Sequence, residues 1–419
     1  MMETKLTKEY ARQKDAERNL LAFRKEFHYP VYKSYMDTHT LGLMPVSAQK
    51  GIEQALQEWQ KYASNSWTQL QDPWLAMAEN VGAKMSELMG AHPKEVVATG
   101  TLSSNLISML TTFYKPIDNR CKILTIDQIS VSHIYTIHSY LQLQGLDPFE
   151  NLVVINTQNE FISEKEIISQ ISDEVILLIL PSASKINGQL FNLSYLSNQA
   201  HDKQIIIGFD FSDSAGAIPH TISESDIDFG FWTASKYLYG GPGASAFLYI
   251  NKNHFGRLPG ITGWFGNKNE TKFEYSLNFD PAEGAKAWQT SAPNILNLYT
   301  IDKALDVILE AGIQNIRQES LQLTGYFIWL CHSVLSMSPM NFRLLTPERI
   351  DQRGAHIAIQ HIAAHKIFKA MLKKGFSFEY RKPDILRFSP NALYNTYEEL
   401  LELVLALKEV MERREFEKY

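Results

Sequence analysis

The sequence predicts an α/β protein with a mostly parallel β-sheet in a large domain and a smaller C-terminal α+β domain. Between about residues 95 and 235, short apolar runs rich in β-branched residues alternate with helical segments, as in a parallel sheet covered by helices. From about residue 300, long helical stretches replace that alternation. We therefore divide the chain into an N-terminal helix and arm (1–50), a large α/β domain (51–300) and a small C-terminal domain (301–419).

Length and composition narrow the class of protein. A chain of 419 residues with 45% apolar and 21% charged residues is typical of a globular enzyme with two or more domains. The net charge of −6 argues against a nucleic-acid or anionic-membrane partner. Cys121 and Cys331 are too few for a disulfide framework or a cysteine metal site. Because no signal peptide or membrane-length apolar segment is visible, we expect a cytoplasmic protein.

Helical periodicity dominates the first hundred residues. Residues 5–27 predict a polar helix, and a turn-rich segment follows over 35–45. Two further helices are predicted, over 46–64 and over 73–90, and the second has an apolar stripe that we expect to pack against the core. These elements carry no motif of their own.

The predicted sheet begins near residue 96. Its predicted strands are 96–99, 122–126, 152–155, 175–180 and 205–209, with helices over 106–114, 134–143 and 165–171. In such a sheet, ligands bind at the carboxyl ends of the strands. The turn from Gly100 to Asn105 opens a helix with Ser103 and Ser104, so it predicts either a phosphate seat or an ordinary helix N-cap.

The stretch from Ile205 to Lys236 contains the main candidate chemistry. Asp210 ends one apolar run, and Lys236 follows a second apolar run about 26 residues later. Pyridoxal phosphate (PLP) needs a lysine amine for its Schiff base and a carboxylate that keeps the pyridine nitrogen protonated. The alternative is a surface lysine and a turn-forming acid.

The last third of the chain predicts the small domain. It has predicted helices over 301–311, 316–335 and 397–413 and a strand over 355–361. His361 and His365 are four residues apart on a predicted helix, but no HExxH pattern accompanies them. We therefore expect no metal site.

Several segments in consistent order resemble the kynureninase family. They include GFDFSDSAGAIPHTISESDIDFGFWTASKYLYGGPGASAFLYINKNH, LPGITGWFGNKNETKF, QRGAHIAI and ILRFSPNALYNTYEEL, and the resemblance covers roughly residues 30 to 410. It implies the PLP-dependent fold type I of the aminotransferase class V superfamily, with a sheet of the seven-stranded type. It also implies a homodimer with active sites at the interface. The implied reaction is hydrolysis of the Cβ–Cγ bond of kynurenine or a related γ-oxo amino acid in tryptophan degradation.

The resemblance assigns roles to individual residues. Lys236 stands at the Schiff-base lysine and Asp210 at the pyridinium partner, and we take both as catalytic. Leu102 and Ser103 stand at the phosphate seat. Trp264 matches a tryptophan that the second subunit contributes to the cofactor site. Arg387 matches the arginine that holds the substrate α-carboxylate, a task suited to a planar bidentate donor.

The sequence departs from the family's pattern around the cofactor. Ser130 replaces a ring-stacking aromatic residue, His133 an acid, Asp213 a histidine and Ser235 a tyrosine, and we expect these four residues still to bind the cofactor. On the substrate side we expect Thr40, Trp67, Ser291 and Ala292, of which Trp67 replaces a histidine and Ala292 an asparagine. His133 could stack on the PLP ring instead of the lost aromatic residue. Asp213 either adds a second acid near the ring or faces away as a turn-former.

Two alternatives accompany the kynureninase-like prediction. The substituted pocket could serve a PLP-dependent β-lyase, a desulfurase-like enzyme or an aminotransferase on another amino acid. The desulfurase is disfavoured because neither cysteine lies in a loop suited to carry persulfide. The second alternative is a non-catalytic scaffold, but a scaffold needs none of Lys236, Asp210 and Arg387, and all three are present.

Overall fold

The computed structural model describes residues 3–157, 161–274, 276–336, 338 and 340–419. The helices are α1 (Lys8–Ala16), α2 (Val46–Tyr62), α3 (Met77–Met89), α4 (Leu102–Phe113), α5 (Val131–Leu143), α6 (Pro148–Asn151), α7 (Glu164–Ser169), α8 (Leu193–His201), α9 (Ile295–Ala311), α10 (Ile313–Leu330), α11 (Ala364–Lys373) and α12 (Tyr397–Glu412). The strands are β1 (Ser34–Tyr35), β2 (Val96–Ala98), β3 (Lys122–Ile126), β4 (Leu152–Ile155), β5 (Val175–Pro181), β6 (Ile206–Asp210), β7 (Phe229–Thr233), β8 (Ala246–Ile250), β9 (Arg343–Leu344), β10 (Ile357–Gln360), β11 (Phe376–Ser377), β12 (Glu379–Arg381) and β13 (Ile385–Phe388).

The large domain is built on a seven-stranded sheet with the strand order β2-β8-β7-β6-β5-β3-β4. Strand β8 runs antiparallel to both neighbours, whereas β7, β6, β5, β3 and β4 are mutually parallel. The central strands are buried almost throughout because helices cover both faces, which explains their continuous apolar sequences. The predicted mostly parallel sheet is confirmed.

The carboxyl ends of β6 and β7 bring the candidate residues to one edge of the sheet. Asp210 is the last residue of β6, and Lys236 lies three residues beyond the end of β7. The two strands are adjacent and parallel, with Asp210 opposite Phe231. Their carboxyl ends therefore open on the same side of the sheet.

The small domain contains an antiparallel sheet of four strands in the order β12-β13-β10-β9. Arg387 on β13 lies opposite Glu379 on β12 and Ala358 on β10. The segment of β12 and β13 was not predicted, because both strands are short and Pro383 interrupts them. This register determines which side chains face the large domain.

Two large apolar cores and one small cluster, formed by Ala217, Ile218, Tyr237 and Ala355, are packed within the described residues. The first runs from the sheet to α9 and Ile316, and the second joins α1 and Met36 to α10, α11, α12 and the small sheet. Ile301 to Ala311, which we placed in the small domain, contributes to the first core. The division into three segments stays a prediction.

The N-terminal helix is shorter than predicted. Helix α1 ends at Ala16, and a 3₁₀ turn follows over Leu20–Glu26. The break places the buried Arg18 guanidinium 2.5 Å from the carbonyl oxygens of both Ala392 and Asn395. A continuous helix to residue 27 would not allow these bonds, because its next turn would carry the chain away from residues 392–395.

The structure separates His361 from His365 and can be searched for metal-binding groups and membrane-spanning helices. His361 precedes α11, where its Nδ1 accepts from the Ala363 N–H, so it does not share a helix with His365. Within the described ranges, no group of three or more His, Cys, Asp or Glu side chains is arranged to hold a metal ion. No helix in that part of the chain is both long and apolar enough to cross a membrane.

Candidate active site

Lys236 and Asp213 form an ion pair at the sheet edge. Lys236 Nζ donates to Asp213 Oδ1 at 2.7 Å, and their side chains are only 13% and 6% exposed. Burial would raise the pKa of Asp213, but the charges of Lys236 and Arg387 lower it well below its usual range. Asp213 therefore faces Lys236, and its placement as a second acid near the PLP ring stays a prediction.

Asp210 is held by His133. The Nε2 atom of His133 lies 2.8 Å from Asp210 Oδ2, and the Ser212 N–H donates to Oδ1 at 2.8 Å. Burial opposes ionisation, but the imidazole and the Ser212 N–H outweigh it and lower the pKa of Asp210. The imidazole is fully buried with its edge against Phe231. Asp210 is therefore an oriented carboxylate, and stacking of His133 on the PLP ring stays a prediction.

The N-terminus of α4 is capped as the N-cap interpretation of the Gly100–Asn105 turn predicts, and the phosphate seat stays a prediction. Thr101 and Ser104 cap the helix reciprocally. Among the described residues, the N–H groups of Leu102 and Ser103 have no hydrogen-bond acceptor, as expected for a first helical turn. A cavity of about 560 Å³ borders this turn and is lined by Ser103, Ser132 and other hydroxyl side chains. These donors suit an anion.

Arg387 lies fully buried on the small sheet. Its Nη1 donates to Glu379 Oε2 at 2.5 Å, whereas its Nε and Nη2 have no partner in the described part of the chain. Glu379 Oε2 also lies 2.9 Å from His39 Nε2. Burial opposes ionisation of Glu379, but His39 and Arg387 lower its pKa to about 2. The free side of the guanidinium can therefore take a carboxylate.

Three site residues were missed by the sequence analysis: Lys185, Glu379 and His356. Lys185 Nζ donates to Ser130 Oγ at 3.3 Å, and burial and the charge of Lys236 lower the pKa of Lys185. No local pattern marks these residues, because each belongs to a segment distant in sequence from Lys236. His356 alone lies in a segment, QRGAHIAI, that carried the resemblance.

The other predicted residues lie beside the cluster or on the surface of this single chain. Ser235 Oγ is bonded to Thr233 Oγ1 at 2.9 Å, just before the lysine. Trp67 packs edge-on against Trp74 and Phe265. The remaining substrate and cofactor predictions are exposed on this single chain: Thr40, Trp264, Ser291 and Ala292.

The arrangement defines a PLP-dependent enzyme of fold type I. The donor set fits PLP: a lysine amine, a carboxylate held ionised beside it, and helix N–H groups free for a phosphate. A structure of C-DES with glycine linked to its PLP cofactor matches with a TM-score of 0.78 at 16% identity, over 92% of this chain and 99% of that one. The cysteine desulfurase CsdA from Escherichia coli matches with a TM-score of 0.73 at 19% identity, over 94% and 99%. At such identities the likeness shows the fold alone.

The full-length relatives narrow the class. The chain is 39% identical to the kynureninase of Geobacillus thermodenitrificans and 37% identical to that of Shouchella clausii, in both cases over 99% of this chain and 96% of the relative. Residues 316–407 also match the model of the kynureninase C-terminal domain. The chain belongs to the kynureninase family of PLP-dependent hydrolases. The predictions of family, fold, cofactor and enzyme class are confirmed.

Proposed function

We propose that this chain hydrolyses the Cβ–Cγ bond of L-kynurenine or a related γ-oxo amino acid, giving alanine and an aryl acid. The observation that carries the proposal is Arg387, which is fully buried and whose Nε and Nη2 have no hydrogen-bond partner within the described ranges. A bidentate cation left free in the interior suits the α-carboxylate of an amino acid. Membership of the kynureninase family indicates that the bond cleaved is the Cβ–Cγ bond.

PLP, when bound, supplies an electron sink for the carbanion formed at the substrate α-carbon. Lys236 would hold the cofactor through its amine and afterwards move the α-proton. Asp210, oriented by His133, would keep its negative charge against the protonated ring nitrogen. Leu102 and Ser103 would donate their N–H groups to the phosphate.

Substrate orientation would come from the small domain. Arg387 would bind the α-carboxylate through Nε and Nη2, while Glu379 holds Nη1 and so prevents rotation of the guanidinium. Asp213 would keep the Lys236 amine beside the α-carbon whenever that amine carries a proton. Fixing both ends of the amino acid aligns the bond to be broken with the electron sink.

The desulfurase-like alternative loses support from the cysteines. Cys331 is buried, and burial raises the pKa of its thiol to about 12, so the thiol is not ionised near neutral pH. Cys121 donates to Asn151 Oδ1 at 3.0 Å on the far side of the sheet, before β3. The β-lyase, the aminotransferase and the scaffold remain as outcomes of the following experiment.

The first test is the visible spectrum of the purified protein, followed by addition of L-kynurenine. We expect an absorbance near ~420 nm that disappears in Lys236→Ala and persists in the exposed control Lys268→Ala. We expect anthranilate fluorescence only from proteins that retain Lys236. A coloured protein that leaves kynurenine intact would favour the β-lyase or aminotransferase, and a colourless protein would favour the scaffold.

We also propose that the chain is a homodimer whose partner subunit completes each site. Trp264 is 48% exposed. Its Nε1 donates to the Lys272 carbonyl oxygen, and this hydrogen bond holds the ring at the surface. Helix α2 carries a second exposed apolar surface that a partner would cover.

We propose a cytoplasmic location for the protein. Reducing conditions there maintain Cys121 and Cys331 as the free thiols seen here.

A further inference from the structure

His356 is a fully buried histidine with no hydrogen-bond partner on either ring nitrogen in the described part of the chain. It directly precedes β10, and the register of β10 with β13 places it opposite Ser389. Because side chains alternate along strands, His356 shares the sheet face of Arg387 and Ser389. Two polar nitrogens that are buried without hydrogen-bond partners are unfavourable, so a partner is expected at this point.

The surroundings of the imidazole identify where that partner lies. The ring stacks on His39 with centroids 5.5 Å apart, and the charges of Arg387, Asp213 and Lys236 all act on it. Burial, followed by the charges of Arg387 and His39, lowers the pKa of His356 well below its usual range. The ring is therefore neutral, with one nitrogen that can accept a proton.

We propose that His356 is a further catalytic residue, which accepts the proton of the water that attacks the substrate γ-carbonyl carbon. This inference rests on the proposed function. One water O–H bond breaks, its proton goes to the free imidazole nitrogen, and the oxygen bonds to the γ-carbon while the carbonyl π electrons move to the carbonyl oxygen. Collapse of that hydrate restores the C=O bond and expels Cβ with the electron pair. His356 then returns the proton to Cβ, so that kynurenine and water give alanine and anthranilate.

Most other acid–base groups of the site are bonded on the atoms that could take a proton; in the described part of the chain, His133 Nδ1 and Asp37 Oδ1 also have no partner, but His133 Nε2 is held by Asp210. Asp213, Glu379 and Asp210 each have a basic partner within hydrogen-bond distance. Both ring nitrogens of His39 are bonded, to Ser389 and Glu379. Both ring nitrogens of His356 are without a partner among the described residues, and the charge of the catalytic lysine acts on this ring.

Two further groups were considered and are weaker. The Tyr237 hydroxyl is buried and has no hydrogen-bond partner among the described residues, but burial and the charge of Asp213 raise its pKa well above the usual range, so it retains its proton. Burial raises the pKa of Asp37 to about 6, but the charges that act on it are those of Glu379 and Arg387, not that of Lys236. Asp37 therefore lies at the carboxylate end of the site. A substrate carboxylate bound to Arg387 also cancels the positive charge that weakens His356 as a base.

The test compares holoenzyme with His356→Asn, using Asp37→Asn as the rival base and the exposed His332→Asn as the matched control. Anthranilate release reports hydrolysis, and exchange of the Cα hydrogen of L-alanine in D₂O, followed by NMR, reports the step assigned to Lys236. We expect His356→Asn to lower kcat for kynurenine by at least about 100-fold and to change alanine exchange less than about 3-fold. His332→Asn should leave both rates unchanged.

The inference is overturned if hydrolysis persists in His356→Asn, if both rates fall together, or if only Asp37→Asn abolishes hydrolysis. Absorbance titrations of holoenzyme with L-kynurenine and L-alanine separate this result from failure of the proposed function. If the parent protein releases no anthranilate, the proposed reaction is wrong. In that case, a contact between His356 and the substrate side chain is supported if His356→Asn binds kynurenine about 10-fold more weakly than the parent protein and binds alanine equally well. Equal kynurenine affinities of the two proteins overturn it. His356→Gln replaces the asparagine variant if that variant does not fold.

Discussion

At the residue scale, the charged side chains of the active site form ion pairs that are largely removed from solvent. Lys236 with Asp213, Arg387 with Glu379, and His133 with Asp210 each lie within 2.5–2.8 Å. Each carboxylate has a lowered pKa although burial alone would raise it. Removing one member of such a pair leaves an uncompensated charge and typically costs about 3–5 kcal/mol. These pairs therefore determine both the geometry and the ionisation of the site.

The pair of Arg387 with Glu379 predicts a defect in substrate binding. Glu379→Ala removes the carboxylate that orients Nη1, so we expect KM for kynurenine to rise about 10-fold or more with a smaller change in kcat. Glu379→Gln should be milder, because its amide oxygen still accepts from the guanidinium. Steady-state kinetics measure both constants. The exposed Glu348→Ala is the control, and an equal loss of kcat in Glu379→Ala would contradict a positioning role.

At the element scale, Asp228 joins three elements at the end of the sheet away from the active site. Its carboxylate accepts from the Ile207 N–H of β6 at 2.8 Å, from His201 at the end of α8 at 3.0 Å, and from His254 at 2.6 Å. The hydrogen bond and charge of Asp228 raise the pKa of His201 above 6.5 despite partial burial. The cluster therefore makes the docking of α8 depend on pH.

This cluster predicts a difference in stability that depends on pH. His201 binds its proton more tightly in the folded than in the unfolded chain, so its contribution is full below pH 6.5 and disappears as the pH rises through the folded pKa. We expect His201→Gln to lower the free energy of unfolding at pH 6 by less than about 1 kcal/mol, because the His201 side chain is 32% exposed and solvent screens the pair. Urea unfolding at pH 6 and pH 8.5 measures it. The exposed His28→Gln should show no such difference, and an equal loss at both pH values would refute the ion-pair explanation.

The elements also show how far local patterns reach. Strands β3 and β4 have the predicted bounds, because short runs rich in Ile, Leu and Val between turns specify them directly. Strand β8 was not predicted, since its antiparallel return depends on pairing with β2 and β7. The predicted polar helix over 5–27 is interrupted because Arg18 bonds carbonyls almost four hundred residues away. Secondary-structure propensity therefore predicts that a helix or strand forms, but not which other elements it packs against.

At the scale of the whole molecule, an exposed apolar surface supports the proposed dimer. Helix α2 exposes an apolar stripe at helical spacing, formed by Ile52, Leu56, Trp59 and Tyr62. Trp264, which the resemblance assigns to the other subunit's site, is half exposed as well. Contiguous exposed apolar surface of this kind is typical of a protein interface.

The stripe predicts that a single charge will separate the subunits. Trp59→Asp places an unpaired carboxylate in the proposed interface, so we expect a monomer with weakened PLP binding. Light scattering after gel filtration gives the mass, and the visible absorbance gives cofactor occupancy. Ile362→Asp, at a 95% exposed position of the small domain, is the matched control and should remain dimeric. A monomeric parent protein, or a dimeric Trp59→Asp, would contradict the proposal.

The sequence by itself determined the sheet, its carboxyl edge and the two residues placed there by adjacent strands, Asp210 and Lys236. Strand ends are local features, so apolar runs and the residues that follow them are readable along the chain. Only the tertiary structure decided that Asp213 faces Lys236, that Glu379 holds Arg387, and that His356 lies unpartnered beside them. Asp213 and Lys236 are 23 residues apart and Glu379 and Arg387 are 8 residues apart, and all of these placements depend on strand register and domain packing, which no local periodicity encodes.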